Sequence, residues 1–264
     1  VNYGLYLSAS GVTANMHRMD VLSGNLANAE TPGYKPISTA FRQRLSAREE
    51  DGLEYLPSNA MLERLGGGLM LMPAQVSRAQ GAPEITGRAL DLAIEGEGYL
   101  VVQAPAGDRG AGPGEPTLRL TRDGRLTLAP GGQLVQAASG LPVLDRSDKP
   151  IVLRGDAEVE IDSSGLIRQR GVAVAQIQVT QVPDPSRLRP AGEGTFSAPA
   201  QQIDARRRAT GVVRHKAIER SAVDPVKTMV DIASAERAVG SNARMIQLHD
   251  QLLERAVNTL GRVA

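Results

Sequence analysis

The sequence predicts an α+β protein in which long helices at the two ends flank a mostly β middle. Three observations carry that reading. Apolar residues recur every seven positions near each terminus, the interval of a helical seam. Between the ends, apolar and polar residues alternate with period two, as strands require. Glycine and proline, 28 and 16 of the 264 residues, supply many turns.

Four segments follow in order: a helix and turn over residues 1–37, a linker or extended segment over 38–73, a β-rich domain over 74–210, and a linker with the C-terminal helix over 211–264. In the first, Leu5, Val12, Met19 and Leu26 hold the seven-residue series, with Met16 and Leu22 beside them. At 1.5 Å per residue this helix would be about 37 Å long. It runs into "SGNLANAETPGYKP", Ser23 to Pro36. Asn25 and Asn28 can bond exposed carbonyls there, Pro32 fixes φ, and Gly33 can take the positive φ of a type II turn. On these residues alone the stretch reads as an ordinary helix stop.

The second segment is mixed: a charged "RQRLSAREED", then "LGGGLMLMP". In the third, "LDLAIEGEGYLVVQ", "TLRLTRDGRLTLAPGGQLVQ" and "VAVAQIQVTQV" alternate as strands. Asp123-Gly124 predicts a hairpin between LRLTR and RLTL, and Pro130-Gly131-Gly132 predicts the next reversal. Gly107 to Pro116 reads as an exposed loop. Arg206 to Val223 reads as the linker to the last helix. Asp224 and Pro225 there form an N-cap with proline at the first helical position. Ile232, Val239, Ile246, Leu253 and Leu260 repeat the seven-residue interval, supported by Met229, Ala243 and Val257. That helix would be about 55 Å long.

Composition narrows the function. Lys and Arg number 30 against 29 Asp and Glu, which gives no electrostatic case for nucleic acid or an acidic membrane. There is no cysteine, hence no disulfide, thiolate zinc site or cysteine nucleophile. No run of eighteen apolar residues predicts a membrane span, and no leader peptide is expected. His17, His215 and His249 lack metal spacing. The glycines at Gly66 and Gly96 lack the context of a nucleotide loop, and "ARRRA" at Ala205 to Ala209 reads as solvated surface. No hydrolase, zincin or P-loop pattern occurs. The expectation is therefore no enzyme, no catalytic residues, no cofactor and no metal. A secreted adhesin or glycan-binding module would use exposed aromatics, yet the chain has two Phe, five Tyr and no Trp.

Long helices with a narrow apolar seam need a partner, since burying each large aliphatic side chain yields roughly 1.5–3 kcal/mol. Either the two helices pair within one chain, or they pack against neighbouring copies. The longer C-terminal helix, with about a dozen residues in excess, favours the copies. Met16, Met19, Met229 and Met245 suit adaptable contacts.

"MDVLSGNLANAETPGYKP" resembles the N-terminal signature of the flagellar rod and hook axial proteins. "LDLAIEGEGYLVV" and "LTRDGRLTLAPGGQLV" are similar to that family's central β signatures, and the stretch from Ala217 to Val263 to its C-terminal helix. Residues 46–74 and 107–115 match least. Gly24, Ala222 and the Val239-Gly240 pair depart from the family's usual residues, and a mid-helix Gly240 costs about 1 kcal/mol against alanine. The resemblance implies a structural subunit of the basal-body rod, in the periplasmic region. It also implies export through the flagellar type III apparatus without a cleaved leader, and partners that are copies of itself and other rod or hook proteins. The helices would line an inner tube with the β domain outside. Leu5, Val12, Met16, Met19, Leu22, Leu26, Ile232, Val239, Ile246, Leu253 and Leu260 would form the assembly interface. Asn25, Asn28, Thr31, Pro32, Gly33 and Tyr34 would form a joint that redirects the chain outward. The lack of an obvious insertion after Phe41 favours the proximal rod, with a distal rod or hook-like subunit as the alternative.

Overall fold

The computed structural model describes residues 3–45, 52, 67–105, 117–155 and 157–260. The chain forms two compact units. One comprises Val1–Leu26, Ile37–Ala74 and Asp224–Ala264; the other comprises Ala27–Pro36 and Gln75–Val223.

The first unit is helical. It holds α1 (Tyr3–Ala27), the short strands β1 (Ile37–Ser38), β2 (Phe41–Gln43) and β3 (Leu69–Leu71), and the long C-terminal helix Pro225–Leu260. The segment expected as a linker thus contains an antiparallel ribbon, with Phe41 opposite Leu71 and Gln43 opposite Leu69. The C-terminal helix starts as its sequence requires. Asp224 Oδ1 accepts from the Lys227 N–H at 3.1 Å, and Pro225 fills the first position, where no N–H is needed.

The second unit is built from β4 (Gln75–Val76), β5 (Pro83–Ile85), β6 (Leu92–Glu95), β7 (Tyr99–Ala104), β8 (Thr117–Thr121), β9 (Leu126–Leu128) and β10 (Leu134–Gln136). It continues through β11 (Val159–Ile161), β12 (Leu166–Gln169), β13 (Val172–Gln176), β14 (Val179–Gln181), β15 (Arg189–Gly192) and β16 (Thr195–Ser197). A helical turn α2 (Ala200–Asp204) then precedes β17 (Arg207–Arg208), β18 (Val212–His215) and β19 (Ala217–Glu219), which makes the C-terminal helix α3. The main sheet has six strands in the order β15-β16-β8-β7-β14-β17, and β11-β12-β13 form a second sheet.

β7 explains why two cores coexist. Its successive side chains point to opposite faces, and both faces are covered. Leu100 and Val102 join one cluster, with Leu92, Ile94, Leu126, Leu134 and Ile167. Tyr99 and Val101 join the other, with Leu120, Leu144, Leu188 and Phe196. The Tyr99 and Phe196 rings meet edge to face at 6.0 Å. A strand covered on both sides reads as a continuous apolar run, as "YLVV" does.

Two sequence expectations are corrected. Asp123-Gly124 does not turn a hairpin: β8 pairs with β7 and β16, whereas β9 pairs with β10. Gly124 serves a close approach instead. Its carbonyl accepts from the Leu92 N–H at 3.0 Å, and a Cβ there would fall 1.6 Å from the Leu92 oxygen. Buried Asp123 is spent on Arg125, accepting from its Nε at 3.0 Å and its terminal nitrogen at 2.8 Å. The second correction concerns residues 211–223, expected as part of the last linker. They form β18, antiparallel to β6 from Val212↔Glu95 to His215↔Leu92, and β19, antiparallel to β5. The β unit therefore extends to Val223. Lys216, at φ 60, breaks the alternation between these strands and hid them from a period-two reading. By contrast, the Pro130-Gly131-Gly132 reversal is present between β9 and β10, with both glycines at positive φ.

Candidate functional site: the joint and the helix faces

At the end of α1, Asn25 is 4% exposed and grips the returning chain as a strand neighbour would. Its Nδ2 donates to the Ile37 carbonyl at 2.8 Å, and its Oδ1 accepts from the Ile37 N–H at 2.9 Å. Asn25→Ala removes both bonds and is expected to cost about 2 kcal/mol locally. The measurement is hydrogen exchange at the Ile37 amide, which should accelerate in the variant.

The chain then turns within the β unit. Asn28 accepts from the Thr31 hydroxyl and, through its carbonyl, from the Thr31 N–H, both at 3.2 Å. Tyr34 N–H donates back to the Thr31 carbonyl at 3.2 Å, so Pro32 and Gly33 occupy the centre of a turn, with Gly33 at φ 69. The turn is stitched to the C-terminal end of the unit: Gly33 N–H donates to the Glu219 carbonyl at 2.7 Å, and Ala222 N–H to the Tyr34 carbonyl at 3.1 Å. Burial raises the Tyr34 phenol above its ordinary pKa.

Beside the turn lies a buried ionic cluster that sequence reasoning missed. Lys35, Arg122 and Glu219 are 2%, 6% and 1% exposed. Lys35 Nζ donates to Glu219 Oε1 at 2.6 Å and to the Ala79 carbonyl at 2.7 Å. Arg122 donates to Glu219 Oε2 at 3.0 Å, to the Ile94 carbonyl at 3.1 Å and to the Gly96 carbonyl at 2.7 Å. The Gly81 N–H adds a third donor to the carboxylate at 2.9 Å. The Arg122 guanidinium also stands 5.2 Å over the Tyr99 ring, a cation–π distance. Burial pulls the Lys35 ammonium below the ordinary lysine range, while Glu219 pulls it back up. The cluster ties together the entering chain, the β6–β7 region and the last strand. Only Lys35 stood within the stretch that the sequence singled out, and nothing in the sequence pointed to its partners.

In the helical unit, α1 and α3 run antiparallel through small and polar positions. A Cβ on Gly4 would fall 2.5 Å from the His249 ring, and one on Gly11 would fall 2.9 Å from the Asn242 amide. Arg18 pairs with Asp231 at 3.6 Å, both half-exposed, a contact of small energetic weight. The buried side chains of the pair are correspondingly small: Ser8 and Ala14 on α1, Thr228 and Ala235 on α3. Thr228, Ala235, Asn242 and His249 repeat every seven residues, four positions before the apolar series.

The apolar series is left uncovered to varying degrees. Leu5, Val12, Met19, Leu22, Leu26, Ile232, Val239 and Ile246 are half-buried. Met16 and Leu253 are exposed, and the side chain of Leu260 lies outside the described residues. Further apolar side chains on α3 face outward, with Val230 61%, Leu252 60% and Val257 69% exposed. No atom of the described residues lies within 4 Å of a Cβ built on Gly240, and α3 continues through it as one helix.

No group of three possible metal ligands occurs among the described residues, and no helix there is long and apolar enough to cross a membrane. Two family models match the chain. "Flagella basal body rod protein" covers residues 5–35, and "Flagellar basal body rod FlgEFG protein C-terminal" covers residues 214–259. Over its whole length the chain is similar to proteins named flagellar basal-body rod protein FlgF. That of Rhizobium meliloti (strain 1021) is 29% identical over 267 residues, 98% of each chain. That of Caulobacter vibrioides is 29% identical over 269 residues, again 98% of each. The Caulobacter protein named FlgG is 28% identical over 270 residues, 95% of this chain and 96% of the relative.

Proposed function

Since the chain belongs to the flagellar basal-body rod protein family, we propose that it polymerises helically through its terminal helices, with copies of itself and with other rod or hook proteins. It is a structural subunit of the rod. Its role is mechanical: it transmits torque and lines the channel through which later subunits pass. The helices make a coiled-coil-like inner tube and the β unit an outer layer. The subunit reaches its place in the periplasmic region through the flagellar type III export apparatus.

The observation that carries this reading is the uncovered apolar surface of α1 and α3. Met245, Leu248 and Leu252 follow one another at helical spacing and are 45%, 52% and 60% exposed. Each such side chain gains up to roughly 1.5–3 kcal/mol when fully covered. Several together offset an association cost on the order of 4–15 kcal/mol. The joint matches the same role: Asn25, Asn28, Thr31, Pro32, Gly33 and Tyr34 carry the chain from the end of α1 into the β unit. The lack of an obvious insertion after Phe41 supports a place in the proximal rod. A distal rod or hook-like position is the second reading, favoured by the near-equal identities to the FlgF- and FlgG-named proteins.

Leu26→Asp and Ile246→Asp test the helix surfaces in a strain deleted for the native gene. Each should abolish swimming and stop basal bodies short of a complete rod, while amide protection in β7 and β8 stays intact. Normal motility in both variants overturns the assignment of the interface. A deletion strain with an intact rod overturns the function itself.

A further inference from the structure

The β unit contains a cleft of about 870 Å³ between the β17 strand, the Ser163-Ser164 turn that joins β11 to β12, and the Arg146–Asp148 loop. Four arginines line it, Arg146, Arg206, Arg207 and Arg208, against two carboxylates, Asp148 and Asp204. One arginine is already spent. Arg206 donates to Asp148 Oδ1 at 2.7 Å and to the Ile203 carbonyl at 2.8 Å. Arg146, Arg207 and Arg208 are exposed, and no carboxylate among the described residues pairs with them. The cleft therefore carries a surplus of positive charge in a chain whose total is nearly balanced.

The fold adds a second feature to this charge. β17 is the last strand of the six-stranded sheet and, among the described residues, pairs with β14, through Thr180↔Arg208 and Gln181↔Arg207. The Ala209 N–H donates to the Val179 carbonyl, so the Arg207 backbone faces β14 and that of Arg208 faces the outer edge, where an added strand would bond.

We propose that this cleft binds an extended, acidic polypeptide segment of a partner protein, laid beside β17 as a further strand, with its carboxylates on Arg146, Arg207 and Arg208. Charge complementarity selects the class of occupant, because guanidinium groups bind carboxylates through paired, charge-assisted hydrogen bonds. The free strand edge selects its conformation. The basic "ARRRA" run is then a recognition element carried on a sheet edge. This inference stands apart from the helix surfaces and does not depend on them.

The test uses the full chain and a fluorescein-labelled hexaglutamate peptide, followed by anisotropy at low and at moderate salt. Saturable binding is expected, weakened at least tenfold by the double charge reversal R207E/R208E and by added salt. Hexalysine should not bind. Hydrogen exchange in the complex should slow at the Arg208 amide, which faces the outer edge. The exposed position of both arginines leaves folding intact, which amide protection in β7 checks. The proposal is overturned by a flat titration, by equal binding to the double variant, by protection mapping elsewhere, or by displacement with millimolar inorganic phosphate, which would mark a simple anion site.

Discussion

Glu219→Ala is expected to lower the stability of the β unit by about 3–5 kcal/mol, the range for removing one partner of a buried ion pair. The carboxylate accepts from Lys35, Arg122 and the Gly81 N–H at 2.6–3.0 Å, so its loss strands three donors at once. Two of them are cations held 2% and 6% exposed. Lys35 is the more costly orphan. Burial already depresses its pKa against the pull of Glu219, and without the carboxylate nothing opposes that burial except the Ala79 carbonyl. The readout is the exchange of the Val101 and Leu120 amides in the core ladder, whose protection should fall by the same free energy. A second variant separates charge from shape. Replacing Lys35, Arg122 and Glu219 together by Met, Leu and Leu removes every uncompensated charge and should recover most of the loss. If Glu219→Ala leaves core protection unchanged, the cluster contributes nothing to holding the joint. If the triple variant is as unstable as the single one, the backbone bonds around the cluster, and not its charges, carry the stability.

The elements of this fold were legible where one segment's own periodicity determined its structure. The seven-residue apolar series gave the positions of both long helices, and the strands of the middle followed their alternation. The cap at Asp224 needed only its own two residues. What was not legible depended on partners distant in sequence. Lys35 and Glu219 are 184 positions apart, and no local pattern announces that pairing. Asp123-Gly124 has the composition of a hairpin turn, yet the close approach of Leu92 decides its conformation. The helices themselves show the same limit. Apolar spacing identified surfaces that want covering, but α1 and α3 meet through Gly4, Gly11, Asn242 and His249, residues that no hydrophobic pattern highlights. The missing side chains at Gly4 and Gly11 leave room for the His249 ring and the Asn242 amide, and the large aliphatic side chains remain beside the contact.

Gly33→Ala should destabilise the joint by about 2–5 kcal/mol, and its value as a test lies in comparison with Gly131→Ala. Both glycines have positive φ, 69° and 98°, so alanine at either position meets a backbone penalty of about 1–2 kcal/mol. They differ in surroundings. A Cβ on Gly131 meets nothing within 4 Å, whereas one on Gly33 would fall 2.3 Å from the Arg122 carbonyl carbon and 2.5 Å from the Asp123 nitrogen. Those are backbone atoms and cannot swing aside. They also belong to the chain that carries Arg122 into the ionic cluster, so a shift that relieves the clash pulls the guanidinium away from Glu219. The added cost of such overpacking is about 1–3 kcal/mol. Urea unfolding of the two variants should therefore differ by at least about 1 kcal/mol, with Gly33→Ala the weaker. In a deletion strain Gly33→Ala should impair rod assembly while Gly131→Ala swims. Equal stability of the two would mean that the turn and the Arg122 backbone do not approach as closely as described. A Gly33→Ala protein that is destabilised yet assembles normally would separate the joint's contribution to folding from any contribution to the rod.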